Sequence, residues 1–116
     1  TKEKSINNTP IFHFMASITL DITKNEAKKQ FEAPHNGHLA FITYMYARGA
    51  SYLTHTEVPQ ELEGQGGGSA LVKGVLDMID AADEKLWPLC PFVAAYIRRH
   101  PEYKQLLADE NERISE

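Results

Sequence analysis

Several things are scarce in this chain of 116 residues, and each scarcity excludes a class of protein. There is one cysteine, Cys90, so no internal disulfide can form, and the chain suits a reducing compartment. No apolar run approaches the 18 or so residues of a membrane span, and the stretch at 11–16 (IFHFMA) is too short and interrupted for a secretory leader. Twelve basic residues face sixteen acidic ones, giving a net charge of −4, so nothing marks a general nucleic-acid or anionic-membrane binder. Only Arg98–Arg99–His100 forms a local basic patch, and the end of a helix explains it as a complement to the dipole. Repeats and low-complexity blocks are absent. These exclusions leave a cytoplasmic, single-domain protein without nucleic-acid or membrane partners, and length suffices for one core.

Glycine is unevenly placed. Four of the seven glycines are Gly64, Gly66, Gly67 and Gly68, just before an amphipathic stretch. Such a cluster costs backbone entropy and needs a reason. A helix N-terminus leaves its first amides unpaired and partly positive, so a glycine-rich loop leading into one is a ready site for phosphate.

Taken in order, the polar residues 1–14 read as a flexible tail, 15–108 as the domain, and 109–116 as a charged tail. Ser17–Asn25 alternates, with Ile18, Leu20 and Ile22 on one face, and predicts a strand. Lys28–Glu32 predicts a short second strand after a turn near Asn25–Glu26. Asn36-Gly37 is a strong hairpin signal. Leu39–Arg48 is apolar on both faces and reads as a central strand, turned at Gly49–Ala50 into Ser51–Val58, where Pro59 stops pairing. Ser69–Ala82 carries a wide apolar stripe and predicts a helix. Leu86–Leu89 predicts a short buried strand, Cys90–Pro91 opens a second helix to about His100, and Pro101–Leu107 adds a helical turn or two. The fold class is therefore mixed α/β: a mostly antiparallel sheet with one right-handed parallel βαβ crossover through Ser69–Ala82 and two main helices. Ligands of such units sit at the carboxyl ends of the strands, which gathers the glycine loop and Cys90 at one edge.

Spacing separates the phosphate motifs. No lysine follows the glycines before Lys73, so the P-loop pattern fails, and G-x-G-x-x-G fails on Ser69 and Leu71. The acetyl-CoA pattern [QR]-x-x-G-x-[GA] is met by Gln65-x-x-Gly68-x-Ala70. Together with HTEVPQELEGQGGGSALVKG and PLCPFVAAYIRRHPEY, this resembles the small Yjdj-type branch of the GNAT N-acetyltransferase superfamily, over roughly Ile22 to Leu107. The resemblance implies acetyl-CoA as co-substrate and an amine acceptor, either a small molecule or a peptide or protein amine. It also implies a monomer or weak homodimer. Pantetheine would bond the backbone at Glu57 and Val58, and the pyrophosphate would meet the amides of Gly64, Gly66, Gly68 and Ser69 within the Gly64–Ser69 loop, including Gln65 and Gly67. Lys73 or Arg98 would reach the terminal phosphate. Two positions depart from the family: Glu63 stands where Arg or Gln is usual, and Gly67 where Ile or Val is usual.

Three side chains are candidates for chemistry. Cys90 lies where a strand ends and a helix starts, a position that favours thiolate, and the resemblance puts it beside the acetyl group; otherwise it is a small buried hydrophobe. His55 lies about 10 Å before Val58 along the strand, counting about 3.3 Å per residue, and could take the acceptor's proton. A sheet histidine bonded to a neighbour is the plain alternative. Tyr96 stands one residue before the position where the family's tyrosine acid falls, here Ile97, which favours packing over proton donation. His35-x-x-His38 has metal-like spacing but no third ligand, so no metal is expected. Tyr44, Met45 and Tyr46 read as core and sheet-face residues, with the lining of an acceptor groove as the alternative. The reading is an acetyl-CoA-dependent N-acetyltransferase working by direct attack. Its rivals are a CoA-binding or interaction module without turnover, and a cysteine hydrolase using Cys90 and His55.

Overall fold

A computed structural model describes residues 18–108. The expected tails at 1–14 and 109–116 and the first residue of the expected strand at Ser17 lie outside the described residues. Five strands form one sheet in sequence order: β1 (Thr23–Asn25), β2 (Gln30–His35), β3 (His38–Ala47), β4 (Ala50–Glu57) and β5 (Lys85–Pro88). The first four pair antiparallel, and β5 lies parallel to β4. Among the described residues, three α-helices, α1 (Gln60–Glu63), α2 (Gly67–Ala81) and α3 (Pro91–Arg99), and a 3-10 helix (Pro101–Leu106) accompany the sheet.

Local chemistry explains the hairpins. Asn36 and Gly37, then Arg48 and Gly49, all have positive φ, as a two-residue turn matched to strand twist requires. The β3–β4 turn therefore sits one residue earlier than Gly49–Ala50. The expected strand over Ser17–Asn25 is cut to its last three residues. Ile18, Leu20 and Ile22 do pack on the core, but against α2 rather than as part of the ladder. The second strand starts at Gln30, because Asn25 turns the chain by accepting the Lys28 amide at 3.1 Å.

The core lies between one face of the sheet and the helices. Alternate residues of β3 (Ala40, Ile42 and Tyr44) meet Leu71, Val72, Val75, Leu76 and Ile79 of α2, and Val93, Tyr96 and Ile97 of α3. Residues of opposite parity point away, and Leu39 and Met45 are exposed there. The sheet thus has one covered face and one open face.

α2 begins two residues before Ser69, so Gly67 and Gly68 belong to its first turn. The short α1, unmarked by any periodicity, explains why. Its Leu62 is fully buried, and a Cβ on Gly67 would stand 2.6 Å from Leu62 Cβ and 2.8 Å from the Leu62 carbonyl. The glycine lets two helices touch backbone to backbone.

Candidate active site

Pairing between β4 and β5 stops at Leu53 and Pro88, and one more rung lies beyond it, the Cys90 amide donating to the Leu53 carbonyl at 2.9 Å. β4 continues to Glu57, and among the described residues no strand pairs with it on that side. A β-bulge falls at the same place: Tyr44 pairs with Leu53 but Thr43 with His55, leaving Thr54 as the extra residue. The Thr54 hydroxyl lies 2.7 Å from that of Thr43, which anchors the bulge. Bulges bend a strand and re-aim its later residues. The outcome is a gap between β4 and α3.

That gap opens into a cleft of about 460 Å³ lined by Thr56, Val58, Glu63, Gly66, Gly68, Ser69, Phe92 and Arg99. Its wall is the start of α2. Gly66 caps the helix with φ 78°, a left-handed conformation that favours glycine. The Ala70 amide is the first to reach back, bonding the Gly66 carbonyl at 3.0 Å. By helix geometry the amides of Gly67, Gly68 and Ser69 have no intrahelical acceptor. The roof is Phe92, whose ring crosses so close to Gly68 that an added Cβ there would meet it at 2.6 Å.

The stretch Gly64–Ser69, expected as one loop, is divided between the end of α1 and the first turn of α2. Gly64 has an ordinary helical φ of −75° and ends α1. The Gln65 side chain turns back, donating to the Glu61 carbonyl at 3.0 Å. Both the Gln65 and the Gly66 amides are spent on α1 carbonyls. Gly67 faces Leu62, while Gly68 and Ser69 line the cleft.

Other expected residues also find their places. Cys90 is 5% exposed, caps α3, and has its Sγ 3.2 Å from the Thr56 hydroxyl. His55 and Glu57 share the opposite, open face of β4, with Nε2 and Oε2 3.0 Å apart and both side chains more than half exposed. Strand alternation explains the split: Thr56 and Val58 face the cleft, His55 and Glu57 do not. His55 is thus not brought beside Cys90. Tyr96 does not line the cleft. It is 4% exposed and stacked on His100 at 4.1 Å, and burial raises its phenol above the ordinary value. Lys73 is turned away, bonded to Asp77 at 2.8 Å; that bond and the carboxylate's charge raise its ammonium above the usual range. Asp77 also accepts from Tyr103 at 2.9 Å.

Three cleft residues, Thr56, Phe92 and Arg99, were not marked as site residues by the sequence. Arg99, rather than Arg98 or Lys73, is the cleft's cation. It stands seven residues after Phe92, so the heptad interval puts both on one stripe of α3. Thr56 is two residues before Val58 on the same face of β4, a spacing the strand reading contained.

Residues 30–106 match the model of a GCN5-related N-acetyltransferase family, which spans well over half of the chain. The chain belongs to the GCN5-related N-acetyltransferase family. It is also similar to a protein from Staphylococcus aureus, solved by NMR and named a GCN5-like putative N-acetyltransferase, at 27% identity and a TM-score of 0.59, covering 78% of this chain and 89% of that one. No curated protein matched. This acetyltransferase carries the family's mixed sheet with its single parallel crossover, and its cleft lies at the carboxyl ends of β4 and β5, where open α/β units place their ligands.

Proposed function

We propose that this acetyltransferase uses acetyl-CoA, bound in the cleft between β4 and α3, and delivers acetyl to an amine that approaches from the open face. The observation that carries the reading is the end of β4, which pairs with β3 but among the described residues has no strand on its β5 side, beside three free helix amides. An extended pantetheine arm fits such an edge as an added strand, with backbone bonds at Glu57 and Val58. A pyrophosphate fits the amides of Gly67, Gly68 and Ser69, where the dipole favours negative charge. Arg99 supplies a cation from the facing helix. A main-chain amide near Val58 would take the developing oxyanion, an interaction worth about 2.7–4 kcal/mol where it has been removed in other enzymes.

The acceptor's side is the face bearing His55. An imidazole held by Glu57 can accept the proton that an attacking ammonium must lose. Thioester and base then lie on opposite faces of one strand, joined through the gap past Leu53. Direct attack in a ternary complex suits this layout. Cys90 is buried behind Thr56, which weighs against its acting as an open nucleophile and against the cysteine-hydrolase reading.

Glu63 gives the cleft a charge of the same sign as its anionic ligand. In calorimetric titration with acetyl-CoA, Glu63→Gln is expected to tighten binding about fivefold, the effect of relieving one like-charge contact of about 1 kcal/mol in high dielectric. Arg99→Ala should weaken binding by a similar factor, and both effects should shrink as salt rises. Absence of heat from acetyl-CoA with the wild-type chain would sink the cofactor assignment. Binding without thiol release, over a panel of amines and lysine peptides, would favour a module that has kept the fold without turnover.

A further inference from the structure

A departing CoA thiolate needs a proton, and the expected donor is out of reach, since Tyr96 is buried against His100 and lines no part of the cleft. Among the described residues lining the cleft, the hydroxyls are those of Thr56 and Ser69. Ser69 sits in the first turn of α2, among the amides assigned to phosphate. Thr56 lies on β4 past the last rung at Leu53, beside the gap through which the thioester must meet its acceptor. Behind it stands Cys90 Sγ, 3.2 Å from the Thr56 oxygen. A hydroxyl both gives and receives a hydrogen bond, and a thiol has one proton to give. Cleft, hydroxyl and thiol therefore form a series with only the hydroxyl at the surface.

We propose that Thr56 is a catalytic residue of the transfer, the terminal donor of a two-proton relay in which Cys90 is the reserve; this rests on the acetyl-CoA reading above. The amine nitrogen bonds the thioester carbon, and its surplus proton passes to His55. As the carbon–sulfur bond breaks, its electron pair goes to the CoA sulfur, which takes the proton of the Thr56 hydroxyl. The Thr56 oxygen simultaneously takes the proton of the Cys90 thiol. The products are the amide, free CoA thiol and a Cys90 thiolate, and the thiolate regains a proton from solvent once the cleft empties, while His55 returns its own to solvent. No oxidant or further reactant is needed. The transient charge on Cys90 lies at the N-terminus of α3, the end that stabilises an anion. A thiol returns to a thiol, so the exchange is close to neutral in energy.

The test uses the full chain, acetyl-CoA and hydroxylamine as probe nucleophile, read as the single-turnover rate of thiol release. Thr56→Val is expected to slow transfer about 100-fold, the lower end of general-acid effects, with acetyl-CoA affinity unchanged. Thr56→Ser, which keeps the hydroxyl, should recover most of the rate. The double variant Thr56→Val/Cys90→Ala should be no slower than Thr56→Val, because groups in series do not add. Should Thr56→Val fold poorly, Cys90→Ala carries the test alone. Cys90→Ala, which leaves Thr56 no proton to replace the one it gives, should slow transfer by a similar factor, and the solvent isotope effect on the wild-type rate should fall in both variants. Normal transfer by Thr56→Val or by Cys90→Ala, additive losses in the double variant, or an acetyl group on Cys90 by mass spectrometry would each overturn the relay. If the wild-type chain binds no acetyl-CoA, the cleft assignment fails instead, and titration before kinetics separates the two failures.

Discussion

Gly67→Ala is expected to lower the stability of the domain by about 3 kcal/mol, the upper range for overpacking a tight site. The added methyl would stand 2.6 Å from Leu62 Cβ and 2.8 Å from the Leu62 carbonyl oxygen, and neither atom is the loose end of a side chain. Relief requires α1 to move off α2. Leu62 is fully buried, so that movement opens the core. Chemical denaturation monitored by circular dichroism gives the number. Gly64→Ala is the matched control, since Gly64 has φ −75° and open space around it. Equal stabilities for the two variants would refute the close-approach explanation.

The second large effect concerns rate rather than stability. His55→Ala is expected to reduce amine acetylation by about 10²–10⁴-fold, the usual contribution of a positioned general base. Acetyl-CoA affinity should be unaffected, because the imidazole lies on the face away from the cleft. Glu57→Gln should have a smaller effect in the same direction, since it leaves a hydrogen-bond acceptor 3.0 Å from the ring but removes the carboxylate's charge. Single-turnover measurements at saturating acetyl-CoA, with a lysine peptide as probe, separate the two terms of the comparison. A His55→Ala variant with unchanged rate but weakened acetyl-CoA binding would place the imidazole on the cofactor's side of the strand and contradict the two-faced arrangement. The variant is expected to fold, because His55 makes its contacts with exposed Glu57 and the half-buried ring of Phe41.

These two residues show how differently a motif and its geometry can be read. The glycine cluster looks like one device in the sequence and serves several purposes in the fold. Gly66 turns the chain with a positive φ, Gly67 admits Leu62, Gly68 admits Phe92, and Gly64 meets neither demand. His55 and Thr56 are neighbours in one run, yet strand alternation sends them to opposite faces, one to solvent and one to the cleft.

Local patterns determined much by themselves. A long apolar and β-branched run fixed β3, a glycine turn and Pro59 bounded β4, asparagine and glycine fixed the turn between β2 and β3, a wide apolar stripe fixed α2, and proline after Cys90 fixed the start of α3. Each depends on neighbours within a few residues, so the chain carries it directly. The parallel seating of β5 beside β4 was also legible, because a strand, helix and strand joined by short loops have one favoured hand. What tertiary structure alone decided was which side chains meet. Thr56 reaches Cys90 across 34 positions of sequence, Phe92 covers Gly68 from another helix, and Tyr96 turns inward to His100. The bulge at Thr54 belongs to the same group, for it arises from how two strands register and not from the composition of either. Periodicity says which face a residue occupies; only packing says what that face is set against.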